Sequence, residues 1–369
     1  MVLASLLAAP GSAADPSPAD VRLSWSTLAP LPDRLGVAGA FAGVTGSADA
    51  ERDGVLVVAG GANFPDRPPW DGGTKAWHAA VHVLPAADAA WLAATPLPRP
   101  LGYGISASHG GRVWCVGGSD AREHLRSTMA LEWDAATQRL RIETDALPPL
   151  PEPMALGGGV LEGSRLWVAG GVASPAATEA LGMFCSIDLG ATPEQRRWRQ
   201  HPTWPGPKRI LPVLGTLAGK VYLVSGAELV PGEPAAAVTR RFLADAHEFD
   251  PQTDTWRTIA PCPVPLVAAA GPAVPLGGSR LAFLPGDDGA LFFRQKELAG
   301  AHPGFPRTIR GYEPAVDAWH TLGGVPDAVR PAVTTTTVAW RGGWVIPSGE
   351  VQPGIRSPQI VRIMAVAAR

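Results

Sequence analysis

The chain is poor in cysteine and in charge, and each shortage argues against a class of protein. Three cysteines among 369 residues, at wide spacing, suggest neither a disulfide framework nor a zinc site. A charged fraction of 17% and a net charge of −2 provide no basic face for binding nucleic acid. No segment approaches the roughly 18 uninterrupted apolar residues that a membrane-spanning helix needs. We therefore expect neither a nucleic-acid partner nor a membrane span.

Glycine and proline are abundant instead, with 43 and 39 residues. So many helix breakers argue against a helical protein, and the apolar runs between them are too regular for a disordered chain. A hydrophobic content of 46% is enough for a substantial core. The composition predicts an all-β protein made of many short strands joined by tight turns.

The first residues, "MVLASLLAAPGSAAD", resemble the apolar region and small-residue cleavage site of a secretory leader, although the usual basic start is missing. We interpret residues 1–21 as a secretory leader or a flexible tail. A leader would make the protein periplasmic or secreted, whereas a plain tail would leave it in the cytoplasm.

A pair of small residues ends an apolar run six times, with the second glycines 57, 53, 55, 60 and 63 residues apart. The pairs are Gly60-Gly61, Gly117-Gly118, Gly170-Gly171, Ser225-Gly226, Pro285-Gly286 and Ser348-Gly349. A tryptophan followed seven residues later by proline marks five of the repeats. Four-stranded units with these marks are typical of kelch repeats in a β-propeller, with the tryptophans packing between blades.

The two ends of the chain complete one repeat. The last unit stops without a tryptophan strand, and "VRLSWSTLAPLP" near the start supplies one. We therefore predict that residues 22–369 form a single six-bladed kelch-type β-propeller. Residues 22–28 are expected to close the sixth blade from the other terminus, which removes free sheet edges.

Loop lengths predict which face of the propeller binds ligands. The connections between the second and third strands of each unit are long, and long loops on one face of a rigid ring commonly carry function. These are residues 62–77, 119–127, 172–180, 227–241, 286–308 and 350–358. Together with the connections between units, they collect Asn63, Arg99, Arg209, Arg330, Glu350 and Arg356 on one face.

The last of these connections, "GEVQPGIRS", resembles a signature of the sialic acid mutarotases, or N-acetylneuraminate epimerases, which are kelch propellers. The signature reads Gly-Glu-x-x-Pro-Gly-x-Arg followed by Ser or Thr. The stretches "VVAGGANFPD", "GGTKAWHAAVHVL" and "LPRPLGYGIS" are also similar to that family. Their order is rotated, because the Glu/Arg blade comes last here, so the chain resembles the cyclically permuted mutarotases.

The resemblance implies an isomerase that opens and recloses the ring of a sialic acid. Glu350 would be the catalytic base, and Arg356 would hold the sugar carboxylate or the oxyanion. Asn63, Arg99, Arg209 and Arg330 are the expected substrate-binding residues on the same face. The expected partner is a small sugar acid, and we expect no cofactor and no metal. A rival acid–base pair, Glu228 with Arg240 or Arg241, lies on the connection 227–241.

Other functions are compatible with a propeller. The presence of only three tyrosines argues against a copper oxidase with a tyrosyl radical. The chain has no Ser-x-Asp-x-Gly-x-x-Trp turn of the kind that sialidases carry. His78 and His82 have the spacing of a zinc site on a helix, but on a strand they would lie about 13 Å apart. A non-catalytic kelch propeller that binds a glycan or a protein remains the alternative.

Overall fold

The computed structural model describes residues 21–47, 49–232 and 238–367, which form six four-stranded antiparallel sheets. The inner strands of neighbouring sheets contact each other around a ring, and backbone pairing of Ala269 with Val333 joins the fifth sheet to the sixth. The fold is therefore a six-bladed β-propeller, which confirms the predicted class.

The strands of each blade lie in chain order from the central channel outward, except that the outer strand of blade six comes from the N-terminal end. Blades one to three comprise Phe41–Thr45, Val55–Ala59, Val81–Leu84, Leu92–Ala93; Ile105–His109, Arg112–Val116, Thr128–Asp134, Arg139–Thr144; and Gly158–Glu162, Arg165–Ala169, Phe184–Asp188, Arg199–Gln200. Blades four to six comprise Val213–Leu217, Lys220–Pro231, Val238–Asp250, Thr255–Ile259; Val274–Leu276, Arg280–Phe283, Thr308–Glu313, Ala318–Gly324; and Val338–Trp340, Gly343–Gln352, Ile355–Ala367, Val21–Leu28.

The remaining elements are short and lie in connections. The strands Ala62–Asn63 and Ala76–Trp77 pair with each other, and the α-helices are Ala50–Asp53 and Gln295–Leu298. The 3-10 helices are Pro69–Asp71, Pro193–Gln195, Phe292–Arg294 and Ala299–Ala301. Within the described ranges, no helix has the length and apolar character to cross a bilayer.

The two ends of the chain meet in blade six, as predicted. Strand Val21–Leu28 pairs along its whole length with Ile355–Ala367, and Trp25 lies opposite Ile363. Trp25 packs against the core cluster between blades five and six. Residues 1–20, which carry most of the predicted leader or tail, lie outside the described residues.

The small-residue pairs lie where strands crowd against the next blade. Gly60 has a φ of +68°, and a Cβ atom there would lie 2.3 Å from the carbonyl oxygen of Leu101. In blade six, Ser348 adopts the same positive φ, and its hydroxyl bonds the backbone of Val37 and Ser357. Glycine thus relieves the crowding in blade one, whereas serine offsets its backbone strain with hydrogen bonds.

The outer-strand tryptophans join neighbouring blades, as the repeat predicted. Each of four indole N–H groups donates to a backbone carbonyl that follows the outer strand of the preceding blade. These bonds run from Trp91 to Ala29, Trp198 to Pro148, Trp256 to Pro202 and Trp319 to Ala260, at 2.7–2.9 Å. The tryptophans therefore fix the spacing of the ring that surrounds the channel.

Two of the long connections between second and third strands are extensions of the blades. In blade six, Gly343–Gln352 and Ile355–Ala367 continue their pairing to the turn at Pro353-Gly354. In blade four, the pairing of Lys220–Pro231 with Val238–Asp250 includes Glu228 opposite Arg241. Residues 227–231 and 238–241 thus form a hairpin, because cross-strand pairing continues along them.

Candidate active site

A pocket of about 250 Å³ opens on the channel face that carries the two extended hairpins. Its charged lining residues come from four blades. They are Lys75, Arg240, Asp287, Glu350 and Arg356. Three cationic and two acidic side chains therefore share one cavity, in a chain of which only 17% is charged.

Glu350 and Arg356 face each other across the hairpin of blade six. Arg356 Nη1 donates to Glu350 Oε1 at 2.9 Å, and the Gly354 N–H donates to the same oxygen at 2.7 Å. The bend at Pro353-Gly354 therefore returns Arg356 to Glu350. Both of these donors bind Oε1, and no donor among the described residues binds Oε2.

Arg356 is held in place by blade one as well. Its Nε donates to the carbonyl of Ala62 at 3.4 Å, and its guanidinium lies 5.0 Å from the ring centre of Phe64. Only 5% of the side chain is exposed, compared with 19% for Glu350. The arginine is thus a fixed support that orients one carboxylate oxygen and leaves the other available.

Arg240 extends into the same pocket from the hairpin of blade four. Its guanidinium lies 5.9 Å from the ring centre of Phe292, and within the described chain it has no hydrogen bond or ion pair. Burial lowers the pKa of Arg240, while the charges of Glu350 and Asp287 oppose that effect. A partly buried guanidinium without a partner is suited to bind an anion.

Asp287 is the second acidic group of the pocket. Its backbone exchanges two hydrogen bonds with Val267, and its Oδ1 accepts from the Gly289 N–H at 2.9 Å. Burial raises the pKa of the Asp287 carboxyl. The charges of Asp288 and Glu350 act in the same direction, whereas the Gly289 N–H and Arg240 oppose it. The environment therefore favours a protonated carboxylic acid more than an ordinary aspartate site does.

Asp287 and Glu350 hold equivalent positions in their blades. In every blade, the residue after the second glycine forms an isolated antiparallel bridge to the segment that leads into an inner strand. From blade one to blade six these residues are Ala62, Ser119, Val172, Ala227, Asp287 and Glu350. Carboxylates occur only in blades five and six, so the glycine register contained a signal for Asp287 that our sequence analysis missed.

The pocket also has an unpaired hydroxyl group, on Tyr103. Its side chain lines the cavity, the residue is 9% exposed, and its buried oxygen has no hydrogen-bond partner within the described chain. The Lys75 ammonium lies 5.0 Å from the Tyr103 ring centre. A buried hydroxyl without a partner is costly, which makes Tyr103 a candidate to bind a polar ligand. Lys75 lies before Ala76–Trp77 in a connection of blade one, and Tyr103 leads into Ile105–His109 of blade two, so no motif in the sequence joins them.

Two of the expected substrate-binding residues lie inside the protein. Asn63 is 2% exposed, donates to the Gly36 carbonyl at 2.9 Å and bonds His78 at 2.7 Å. Arg209 is 0% exposed and forms a two-pronged pair with Asp245 at 2.9 and 2.7 Å. Neither lines the pocket, and both brace the connections around it.

The other two expected residues lie near the surface and also do not line the pocket. Arg99 is paired with Asp120 and with Glu123. Arg330 is exposed and lies 3.5 Å from the side-chain oxygen of Gln352.

The two arginines of the rival pair are separated. Arg240 lines the pocket, whereas Arg241 pairs with Glu228.

Comparisons with known proteins identify relatives of the chain. No family model matches the chain. N-acetylneuraminate epimerase of Pasteurella multocida is 26% identical over 233 residues, which are 57% of each chain. The protein of that name from Haemophilus influenzae is 25% identical over 248 residues, 61% of this chain and 60% of the relative.

A third relative with the same name, from Yersinia enterocolitica, is 28% identical over 186 residues, 44% of this chain and 45% of the relative. The chain thus spans at most about 60% of the length of these relatives. The sequence motifs, the propeller and these matches lead to one conclusion: the chain is related to the N-acetylneuraminate epimerases.

Proposed function

We propose that the protein is a mutarotase that interconverts the anomers of a sialic acid, an N-acetylneuraminate-like sugar acid. The observation that carries the proposal is the Glu350–Arg356 pair, whose Oε2 is left without a donor at the mouth of the channel. The relation to proteins named N-acetylneuraminate epimerase supports the reaction class.

In this reaction Glu350 acts as the base. Its carboxylate takes the proton of the anomeric hydroxyl group, and the electron pair of that O–H bond forms a carbonyl group. The bond from the anomeric carbon to the ring oxygen breaks, and its electron pair passes to the ring oxygen. After rotation, the ring oxygen attacks the other face of the carbonyl, and Glu350 returns the proton to the new anomeric hydroxyl. Arg356 keeps the carboxylate oriented and stabilises negative charge on the anomeric oxygen.

The charge of the pocket supports an anionic substrate. Three cations and two acids line it, so one positive charge is left over when both acids are ionised. Arg240 and Lys75 have no hydrogen bond or ion pair among the described residues, and the planar fork of Arg240 is the one that matches the carboxylate of a sugar acid. The resemblance had implied Arg356 for this role, but its bonds to Glu350 and Ala62 favour Arg240.

The test is one-dimensional NMR of freshly dissolved α-N-acetylneuraminate as it approaches anomeric equilibrium, with and without the protein. We expect faster equilibration of N-acetylneuraminate and related 2-keto sugar acids, and no effect on glucose, which lacks a carboxylate. Unchanged rates for every sugar acid would contradict the proposal. Binding without acceleration would favour the alternative, a non-catalytic glycan-binding propeller.

A further inference from the structure

The proposed reaction leaves one carboxyl group of the pocket without a role. Ring opening needs a proton donor for the ring oxygen as well as a base for the hydroxyl group. Asp287 lines the same cavity as Glu350, from the adjacent blade and from the equivalent position next to the channel. The two acids are thus presented side by side around the channel mouth by rigid, backbone-paired segments.

We propose that Asp287 is a second catalytic residue, the acid that protonates the ring oxygen while Glu350 deprotonates the anomeric hydroxyl group. This inference rests on the proposed function. In ring opening, the carbon–oxygen bond breaks, its electron pair goes to the ring oxygen, and that oxygen takes the proton of Asp287. In ring closure, the ring hydroxyl returns its proton to Asp287 as its oxygen attacks the carbonyl carbon. Each residue therefore ends the cycle in its starting state.

The surroundings of Glu350 and Asp287 differ in the way that one base and one acid require. Glu350 accepts hydrogen bonds from a guanidinium and an amide. Asp287 accepts one hydrogen bond from a backbone amide and, within the described ranges, has no ion pair. Two carboxyl groups whose environments differ in this way are the usual basis for one base and one acid in a single site.

The charges that face Asp287 also couple it to the substrate. Asp288 and Glu350 favour its protonated form, Arg240 opposes it, and Lys75 and Arg356 are the remaining charged groups of the pocket. A sugar carboxylate bound to Arg240 would neutralise the opposing charge and add a negative charge nearby. Substrate binding should therefore raise the pKa of Asp287 further, so that binding takes up a proton.

Proton uptake can be measured without turnover. The α-methyl ketoside of N-acetylneuraminate keeps the carboxylate but cannot open, because its anomeric oxygen carries a methyl group. We would titrate it calorimetrically between pH 4 and 7 in buffers of different ionisation enthalpy. We expect proton uptake by the wild type and by Asp288→Asn, and its loss in Asp287→Asn. Uptake that is equal in Asp287→Asn and in the wild type would overturn the assignment.

Kinetics provide the second test. Asp287→Asn should lower kcat by about 10²–10⁴-fold with a small change in KM, and should remove the alkaline limb of the pH–rate profile. Asp288→Asn is the matched control, and Asp287→Glu, which retains the acid, should restore the limb. An active Asp287→Asn with the wild-type profile would overturn this inference alone. A wild type that accelerates no sugar acid would overturn the proposed function as well.

Discussion

Arg240 and Arg241 are consecutive residues whose side chains lie on opposite sides of one hairpin. Arg240 lines the pocket with Glu350, whereas Arg241 pairs with Glu228 and is 61% exposed along its side chain. The alternation of side chains along a strand produces this separation. The two arginines that were alternatives in the rival pair with Glu228 therefore lie on different sides of the hairpin, and Arg241 provides a matched control for Arg240.

Arg240→Gln should weaken substrate binding because it removes the unpaired guanidinium. A hydrogen bond to a charged group is worth about 1.5–3 kcal/mol, so KM should rise about 10-fold to 150-fold. Arg241→Gln removes the same charge from the other side of the hairpin and should leave KM nearly unchanged. Steady-state NMR kinetics on both variants decide the point, and equal effects would place the carboxylate site elsewhere.

Arg209 should stabilise the fold without touching the substrate. Burial opposes ionisation of Asp245, but hydrogen bonds from His247 and Arg209 outweigh it and hold the pKa of Asp245 well below its ordinary 3.8. Asp245→Asn leaves the buried guanidinium without its counter-ion and should cost about 3–5 kcal/mol at pH 7. Denaturation in urea measures this loss.

The same pair predicts an acid limb of stability. A depressed folded pKa means that the stabilisation by Asp245 is complete above pH 3.8 and is lost as the pH falls below that value toward the folded pKa. The free energy of unfolding should therefore fall more steeply below pH 4 in the wild type than in Asp245→Asn. Asp327→Asn, at a fully exposed carboxylate, is the control that should keep the wild-type slope. Equal slopes in all three proteins would contradict this account of Arg209.

Closure of the ring through blade six predicts that a short and a longer N-terminal truncation differ in stability. A variant that lacks residues 1–20 keeps every described strand and should melt like the full chain. A variant that lacks residues 1–30 also loses Val21–Leu28, which exposes the edge of Ile355–Ala367, so cooperative unfolding should disappear. Trp25→Ala should lie between them, at a cost of about 3 kcal/mol. A normal calorimetric transition after removal of residues 1–30 would contradict the closure.

The sequence predicted the ring because a pair of small residues recurs in all six blades and an outer tryptophan in five of them, and each has a local steric reason. The resemblance singled out Glu350 and Arg356, which the hairpin of blade six brings into contact. Roles assigned from face alone were less informative. One face of the propeller carries both residues that line the pocket and residues that stabilise the connections around it. Arg209 belongs to the second kind, because it is buried and bonded to Asp245, which lies 36 residues away.

Asp287 had a signal in the sequence, because it follows Pro285-Gly286 just as Glu350 follows Ser348-Gly349. The bridges to the inner segments show that the two positions are equivalent. Tyr103 and Lys75 meet through a contact between a lysine ammonium and an aromatic ring across 28 residues, which no local pattern encodes. Such long-range contacts depend on the packing of the closed ring.

The rate of anomer equilibration with Glu350→Gln decides whether Glu350 is the base of the reaction. The substitution preserves size and hydrogen-bonding capacity but removes the base, so the protein-dependent acceleration should fall about 10²–10⁴-fold. Glu228→Gln is the matched control on the hairpin of blade four, and it should retain the wild-type rate. If Glu350→Gln equilibrates α-N-acetylneuraminate as fast as the wild type does, Glu350 is not the base and the account of this site is wrong.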